Sequence, residues 1–107
     1  MKKTTLDEPG VLIKTKKTEC HMRQISWLTG SYLDYKFSAK VHDVGSEYGI
    51  DCGRTSQLYI WKDKEINGSK EPQYIAEYDV HWIRKPKTKK DEAVYKKILF
   101  CLERGNL

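Results

Sequence analysis

The sequence predicts an α+β fold, in which one C-terminal α-helix packs on one face of a four-stranded antiparallel β-meander. Two observations indicate this class. Between residues 25 and 83, four segments show the alternation or the β-branched and aromatic enrichment of strands, with turn-forming residues between them. After residue 88 the apolar residues recur every three or four positions, which is the period of a helix. A length of 107 residues is enough for one domain and too short for two.

The first two predicted strands are joined by a tight connection. The first covers residues 25–33, and Asp34 and Tyr35 lead from it into the second, where apolar and polar residues alternate through 37–42. Three glycines then fall within residues 45–54 and predict a loop or bulge with special backbone angles.

The third predicted strand, residues 56–61, presents different side chains on its two faces. Leu58 and Ile60 lie on one face, and Tyr59 and Trp61 lie on the other. Tyr and Trp on an open sheet face can stack on unpaired bases or anchor a protein interface. We therefore take them as candidate partner-binding residues. The alternative is that the two side chains pack against neighbouring strands and are covered by the N-terminal arm or by a second copy of the protein.

The fourth predicted strand, residues 74–83, pairs back onto the third. Asn67 and Gly68 favour a type I′ hairpin turn between them, because both central positions of that turn need positive φ. Pro72 has no amide hydrogen, so we expect it to limit how far the pairing extends toward the turn.

The last predicted element is a helix, which completes a single β-sheet-plus-helix domain over residues 19–107. Thr88 and Asp91 have the spacing of a capping box, with Asp in the place of Glu. Gly105 is expected to end the helix. One apolar stripe at i, i+4, i+7 and i+8 consists of Val94, Ile98, Cys101 and Leu102.

Residues 1–18 are predicted to form a basic N-terminal arm. They contain Pro9 and Gly10 and show neither helical nor strand periodicity, so the arm can add one edge strand to the sheet. Its basic cluster consists of Lys14, Lys16 and Lys17.

The composition is polar but typical of a folded protein. Charged residues make up 33% of the chain, and aromatic residues reach 11%, whereas disordered chains are poor in aromatics. The longest apolar run, residues 98–102, is far below the roughly 18 residues that a membrane span needs. Lys2 and Lys3 are followed by polar residues rather than by the apolar stretch of a signal peptide. We expect a soluble cytoplasmic protein that does not bind membranes.

The charge balance and the cysteine count narrow the classes of partner. Twenty basic and fifteen acidic residues give a net charge of +5, which permits a nucleic acid or an acidic protein surface and counts against a DNA mimic. Three cysteines, an odd number, argue against a disulfide framework and leave free thiols or metal ligands. Cys101 lies on the helical stripe and is assigned to the core.

Cysteine and histidine residues are predicted to gather at one end of the sheet. Cys20 and His21 precede the first strand, and His42 ends the second. Cys52 precedes the third strand, and His81 approaches the end of the fourth. Two thiolates and two imidazoles can complete a tetrahedral Zn²⁺ site. We therefore predict a structural zinc held by Cys20, His42, Cys52 and His81, with His21 as an alternative ligand; the other interpretation is scattered surface side chains.

A basic run precedes and enters the helix. Positive charge in a first helical turn opposes the helix dipole by about 0.3–1 kcal/mol per exposed residue, and a sequence that breaks such a local rule often does so for function. Lysines beside free amide groups favour an anion such as a phosphate backbone, whereas a solvated charge run is the alternative. The candidate partner-binding residues here are Arg84, Lys85, Lys87, Lys89 and Lys90, which the arm lysines approach from the same end.

Catalysis finds little support in the sequence. Glu77, Asp79 and His81 share a strand face and can be read as a Mg²⁺ site of a nuclease, but two carboxylates at i and i+2 are common on exposed strands. The sequence contains neither a P-loop nor a nucleophile elbow. We expect the protein not to be an enzyme.

Four motifs lie within residues 25–104: W-x-x-G at 27–30, F-x-A-K-V at 37–41, G-S-x-Y-G-I-x-x-G-R at 45–54 and Y-D-x-x-W at 78–82. They resemble a family of short uncharacterised proteins from phages, prophages and mobile elements of Gram-positive bacteria. The resemblance implies a small β-sheet-plus-helix fold and a mobile-element origin. The N-terminal arm, Cys20, His21, Cys52 and His81 depart from the family pattern, so we expect them to carry what is particular to this member.

The resemblance also suggests a function, because small proteins of such elements often disarm host defence. The leading hypothesis is a non-catalytic anti-CRISPR protein of the host bacterial cytoplasm. It would bind a type II RNA-guided nuclease, as protein or protein–RNA complex, and block nucleic-acid loading. The alternative hypothesis is a basic RNA- or DNA-binding regulatory protein of a phage.

Overall fold

The computed structural model describes the backbone of residues 4–5, 11–20 and 23–104 and the side chains of residues 25–104. These residues form one antiparallel sheet and one C-terminal helix, and each strand of the sheet pairs with the next strand along the chain. The elements are β1 (Thr4–Thr5), β2 (Val11–Cys20), β3 (Arg23–Tyr32), β4 (Tyr35–His42), a 3₁₀ turn (Ile50–Cys52), β5 (Thr55–Ile66), β6 (Ser69–Asp79), β7 (Trp82–Arg84) and α1 (Lys89–Arg104).

The predicted class is confirmed, but the predicted number of four strands is wrong. Five strands lie within residues 23–104, and β1 and β2 extend the same sheet. The segment expected to be one strand, residues 74–83, is divided between β6 and β7. Val80 adopts a φ of 54° there, and its amide donates a 3.0 Å hydrogen bond to the carbonyl of Ser56. A β-branched residue rarely takes positive φ, so nothing in the sequence marked this turn.

The pairing of β5 with β6 runs to the end of the hairpin, so the expected effect of Pro72 is wrong. Pro72 lies opposite Asp63, and the ladder continues to the pair Ile66 and Ser69. Among the described strands, β7 pairs with β6 only at Glu77 and Tyr78, so β6 is an edge strand at Pro72. A proline at an edge can turn the position of its missing N–H outward, where no ladder bond is lost.

The hairpin turn is confirmed. Asn67 has a φ of 51° and Gly68 a φ of 82°, the two positive angles that a type I′ turn requires. The turn between β3 and β4 falls on Leu33 and Asp34, one residue earlier than predicted. β2, whose residues the sequence assigns mainly to the arm, pairs with β3 along its whole length.

The core lies between one face of the sheet and α1. The sheet contributes mainly alternate residues of its central strands, and α1 contributes the predicted apolar stripe, all of it buried. Full burial of one such side chain stabilises the fold by about 1.5–3 kcal/mol. The largest fully buried members are Tyr35, Phe37, Leu28, Leu58, Ile60, Ile98 and Leu102.

The start of α1 is capped as predicted. The amide of Asp91 donates a 3.0 Å hydrogen bond to Oγ1 of Thr88. Gly105, the predicted end, lies outside the described residues. Within the described part of the chain, no helix has the length and apolar character that crossing a membrane requires.

Candidate functional site

The face of the sheet opposite α1, here called the outer face, carries the aromatic residues predicted to bind a partner. Leu58 and Ile60 are fully buried against the helix, and Tyr59 and Trp61 alternate with them on the outer face, half-buried. This placement depends on β5 being paired on both sides, with β4 and with β6.

Tyr74 joins these two residues and is the site residue that the sequence did not reveal. Its ring lies 6.2 Å from that of Tyr59 and 5.6 Å from that of Trp61, centroid to centroid, and the residue is 39% exposed. Strict alternation along β6 would put Tyr74 on the face of Ala76, toward the helix. The register shifts by one residue, because Ile75 has no partner in the described β5 ladder, and this β-bulge turns Tyr74 outward.

A second aromatic group lies on the outer face two strands away. Trp27 on β3 is 42% exposed, and Nζ of Lys40 on β4 lies 5.1 Å from its ring centroid. The two residues are opposite each other in the β3–β4 register, so this cation–π contact follows from the strand pairing. Lys36, opposite Trp61 on β4, adds a cation that also forms a 2.7 Å ion pair with Asp63.

The predicted basic run is exposed, and two of its members have specific contacts. Nε of Arg84 lies 2.9 Å from a carboxylate oxygen of Glu77, and Nζ of Lys85 lies 5.8 Å from the ring centroid of Trp82. These contacts hold the run against the edge formed by β6 and β7. The run continues with Lys87, which precedes α1, and with Lys89 and Lys90 in the first turn of α1.

A groove of about 380 Å³ separates this edge from the start of α1. Four basic side chains line it, and we call it the basic groove. The carboxylate of Asp91 also lines it, and accepts a 2.9 Å hydrogen bond from the hydroxyl of Tyr35. Burial, together with this carboxylate, raises the pKa of Tyr35 to about 12, so the hydroxyl keeps its proton. The basic groove is lined by Lys62, Gln73, Tyr74, Ile75, Arg84, Lys85, Lys87, Thr88 and Asp91.

The arm lysines lie on β2, whose side chains are outside the described residues. The backbone register places Lys14 opposite Thr29 and Lys16 opposite Trp27, both of which are exposed residues of β3. Lys17 is opposite Ser26, which is buried.

The predicted zinc ligands are only partly described. The side chains of His42, Cys52 and His81 are described, whereas Cys20 and His21 lie outside the residues with described side chains. Among the described residues no three His, Cys, Asp or Glu side chains come together to hold a metal ion. Nε2 of His42 lies 2.7 Å from Oγ of Ser56, and Cys52 is exposed as a free thiol. Zinc binding stays a prediction.

The glycine-rich loop is held by the end of α1. The two carboxylate oxygens of Glu103 accept hydrogen bonds of 2.8 Å from the backbone amides of Arg54 and Thr55. The side chain of Arg54 donates a 3.1 Å hydrogen bond to the carbonyl of Leu102. Loop and helix are thus joined by hydrogen bonds in both directions. The glycines allow a second close approach, because a Cβ on Gly45 or Gly49 would collide with the backbone of residues 52–53.

Comparison with known protein families identifies the family to which the chain belongs. A family model described as "Domain of unknown function (DUF7678)" matches residues 26–103. No curated protein and no solved structure matches the chain. The expectation of a small uncharacterised family is thereby confirmed, and the match covers the four motifs, the outer-face aromatic residues and nearly all of α1.

Proposed function

This chain belongs to a family of domains of unknown function (DUF7678), and from the geometry of its outer face we propose that it is a non-catalytic protein that binds single-stranded nucleic acid. The observation that carries the proposal is the aromatic cluster of Tyr59, Trp61 and Tyr74, which lies on the sheet face that the helix leaves uncovered. Bases stack on such rings with little dependence on sequence, because every base has a π-face.

The polar residues around the cluster supply a second reason. Lys36 is opposite Trp61, and Lys40 contacts Trp27, so cations stand beside the aromatic groups at both ends of the face. Interleaved lysine and aromatic side chains can bind phosphate and base of the same strand. The net charge of +5 favours a polyanion as the partner.

Single strands fit this surface better than duplexes. Stacking on a flat sheet requires bases that are not already stacked and paired on both sides. The described outer face is a sheet surface, whereas readers of the duplex major groove insert a helix or a two-stranded ribbon with several cations on it. The projecting part of the β5–β6 hairpin carries acidic and basic residues side by side, with Lys64 opposite Glu71 and Glu65 opposite Lys70.

Inhibition of a type II RNA-guided nuclease is compatible with the same surface and remains the second candidate. Tyr and Trp are the residue types that dominate protein interfaces, and Trp27 and Tyr74 are both more than a third exposed. Competition for the guide RNA would join the two candidate functions, because the guide offers single-stranded nucleotides before it is loaded.

Fluorescence anisotropy with labelled poly(U), poly(dT) and a duplex, each of about 12 nucleotides, tests the proposal. The protein is expected to bind the single strands more tightly than the duplex. Trp61→Ala/Tyr74→Ala is expected to weaken this binding by about fivefold to a hundredfold, since stacking contributes about 1–3 kcal/mol per base.

Phe100→Ala is the matched control, because Phe100 is an exposed aromatic residue on α1 and not on the outer face. The guanidinium of Arg104 lies 4.8 Å from its ring centroid. This variant is expected to leave binding unchanged. Absence of binding to either single strand at low salt, or an equal loss in the Phe100 variant, would overturn the proposal.

A further inference from the structure

We infer that the basic groove binds phosphates of the same strand whose bases stack on the outer face, so that the two surfaces form one continuous site. The bound strand would cross the outer face diagonally from Trp27 to Tyr74, pass round the edge of β6 and enter the groove between the β6–β7 edge and α1 on the helix side of the sheet. This inference rests on the proposed function and names the path and the phosphate contacts of its ligand.

Tyr74 connects the two surfaces. Its ring contacts Tyr59 and Trp61 on the outer face, and the same residue lines the basic groove. A base stacked on Tyr74 would therefore have its own phosphate, or the next one, at the entrance of the groove. The contact needs the β-bulge at Ile75, because without it Tyr74 would point toward the helix.

The charges of the groove complement a phosphate backbone. Lys62, Arg84, Lys85 and Lys87 line it together with one carboxylate, that of Asp91. This carboxylate already accepts the hydrogen bond from Tyr35. Each phosphodiester brings one negative charge and acceptor oxygens, which suit Arg and Lys donors.

The basic side chains of the groove are arranged in advance of binding. The ion pair with Glu77 holds Arg84 at the edge, and Lys85 lies over the ring of Trp82. Lys62 lies 5.1 Å from the ring centroid of Tyr35 and 3.4 Å from a carboxylate oxygen of Asp34. Side chains that are already positioned lose less conformational entropy when a ligand binds.

The strand register gives the length of the path. Trp27 and Tyr74 are three strands apart, and Tyr74 lies about four residues farther along the strands. With strands about 4.8 Å apart and a rise of about 3.4 Å per residue, the diagonal is about 20 Å. That is about six nucleotides at the 3.4 Å spacing of a stacked strand, so an oligonucleotide of about 12 reaches from Trp27 into the groove.

The test is the salt dependence of poly(U) binding, measured by anisotropy on an oligonucleotide of about 12 nucleotides. Lys85→Gln/Lys87→Gln is expected to make the negative slope of log K against log salt shallower by about 1.4, because each phosphate contact on a single strand contributes about 0.7 to its magnitude. Lys87→Gln alone is expected to make the slope shallower by about half as much. Both lysines are exposed, so the variants keep the fold.

Lys70→Gln/Lys96→Gln is the control with the same change of net charge. Both of its lysines are exposed, one on the β5–β6 hairpin and one on α1, and neither lines the groove. The control is expected to keep the wild-type slope. If the groove variant keeps it too while Trp61→Ala/Tyr74→Ala weakens binding, this inference is overturned and the proposed function stands. If the wild-type protein does not bind poly(U) or poly(dT), both fail.

Discussion

The carboxylate of Glu103, in the last turn of α1, accepts a 2.8 Å hydrogen bond from the backbone amide of Arg54, which lies 49 residues earlier in the chain. Its other oxygen accepts a bond of the same length from the amide of Thr55. One acidic side chain thus satisfies two successive amides at the point where the glycine-rich loop becomes β5.

Replacement of Glu103 is expected to loosen this junction. Glu103→Ala removes two hydrogen bonds to a charged acceptor and leaves the amide of the fully buried Thr55 without this partner. We expect a loss of about 3 kcal/mol in the free energy of unfolding, measured by urea denaturation. Glu92→Ala removes an exposed ion pair with Lys96 on the same helix and is expected to cost less than about 0.5 kcal/mol. Equal losses in the two variants would contradict the proposed role of Glu103.

Two glycines are expected to differ in why they resist substitution. A Cβ on Gly49 would lie 1.9 Å from the carbonyl oxygen of Gly53, so Gly49→Ala must displace backbone and is expected to cost at least about 3 kcal/mol. Gly68 has a φ of 82° with open space around it, so Gly68→Ala costs only the left-handed conformation, about 1–2 kcal/mol. Urea unfolding of both variants measures the difference. An equal or smaller loss for Gly49→Ala would show that the loop can yield.

Alkaline pH is expected to destabilise the fold through two tyrosines. Burial, aided by Asp91, raises the pKa of Tyr35 to about 12, and burial, aided by the charge of Asp51, raises that of Tyr95 to about 12. The folded state thus retains protons that the unfolded state begins to lose near its ordinary pKa of 10. The resulting stability is fully present below about pH 10 and is lost as pH rises through about 12.

Unfolding by urea at a series of pH values measures this loss. Tyr35→Phe/Tyr95→Phe is expected to have a flatter dependence above about pH 10, although its stability at neutral pH is lower because the hydrogen bond to Asp91 is missing. Tyr48→Phe, which changes an exposed ring, is the control. A wild-type dependence in the double variant would assign the alkaline loss to other groups.

The three tryptophans give a direct signal of base stacking. Trp27 and Trp61 lie on the outer face, whereas Trp82 packs half-buried between Tyr78 and Tyr95, at centroid distances of 5.2 and 5.4 Å. Addition of poly(U) is expected to quench the tryptophan fluorescence of the wild type and of Trp82→Phe. Trp27→Phe/Trp61→Phe is expected to lose this quenching. Quenching that persists in the double variant would place the bound bases elsewhere.

Inhibition of a type II RNA-guided nuclease is tested by a titration of DNA cleavage with this protein. This candidate function predicts near-stoichiometric inhibition that Trp61→Ala/Tyr74→Ala relieves, because the two rings lie 5.6 Å apart on the outer face and aromatic residues dominate protein interfaces. Stronger inhibition when the protein is added before the guide RNA would indicate competition for the guide. Unchanged cleavage at a large excess of protein would contradict this second candidate function.

The parts of the fold that the sequence predicts are those that repeat. The stripe from Val94 to Leu102 recurs over two helical turns, and Asn67 and Gly68 occupy a turn that few other residues tolerate. Each of these signals is local and redundant, so a single sequence is enough to reveal it.

The parts that the sequence does not predict depend on single residues whose behaviour is set by distant neighbours. The turn at Val80 is stabilised by a hydrogen bond to Ser56, which is far away in the chain. The outward position of Tyr74 depends on one unpaired residue in a ladder, and Trp27 acquires its lysine only through the pairing of β3 with β4. These two features of the candidate site therefore depend on strand register, which local composition does not encode.

The bulge at Ile75 also means that the chemistry of the outer face depends on how one residue is paired. If Ile75 instead paired with Trp61, strict alternation would be restored and Tyr74 would lie opposite Lys62, with its ring on the helix side of the sheet. Every amino acid of the aromatic cluster would still be present in the chain, yet the cluster would be gone. A pairing of β5 with β6 without this bulge would thus keep the fold and the residues of this protein while presenting a different surface.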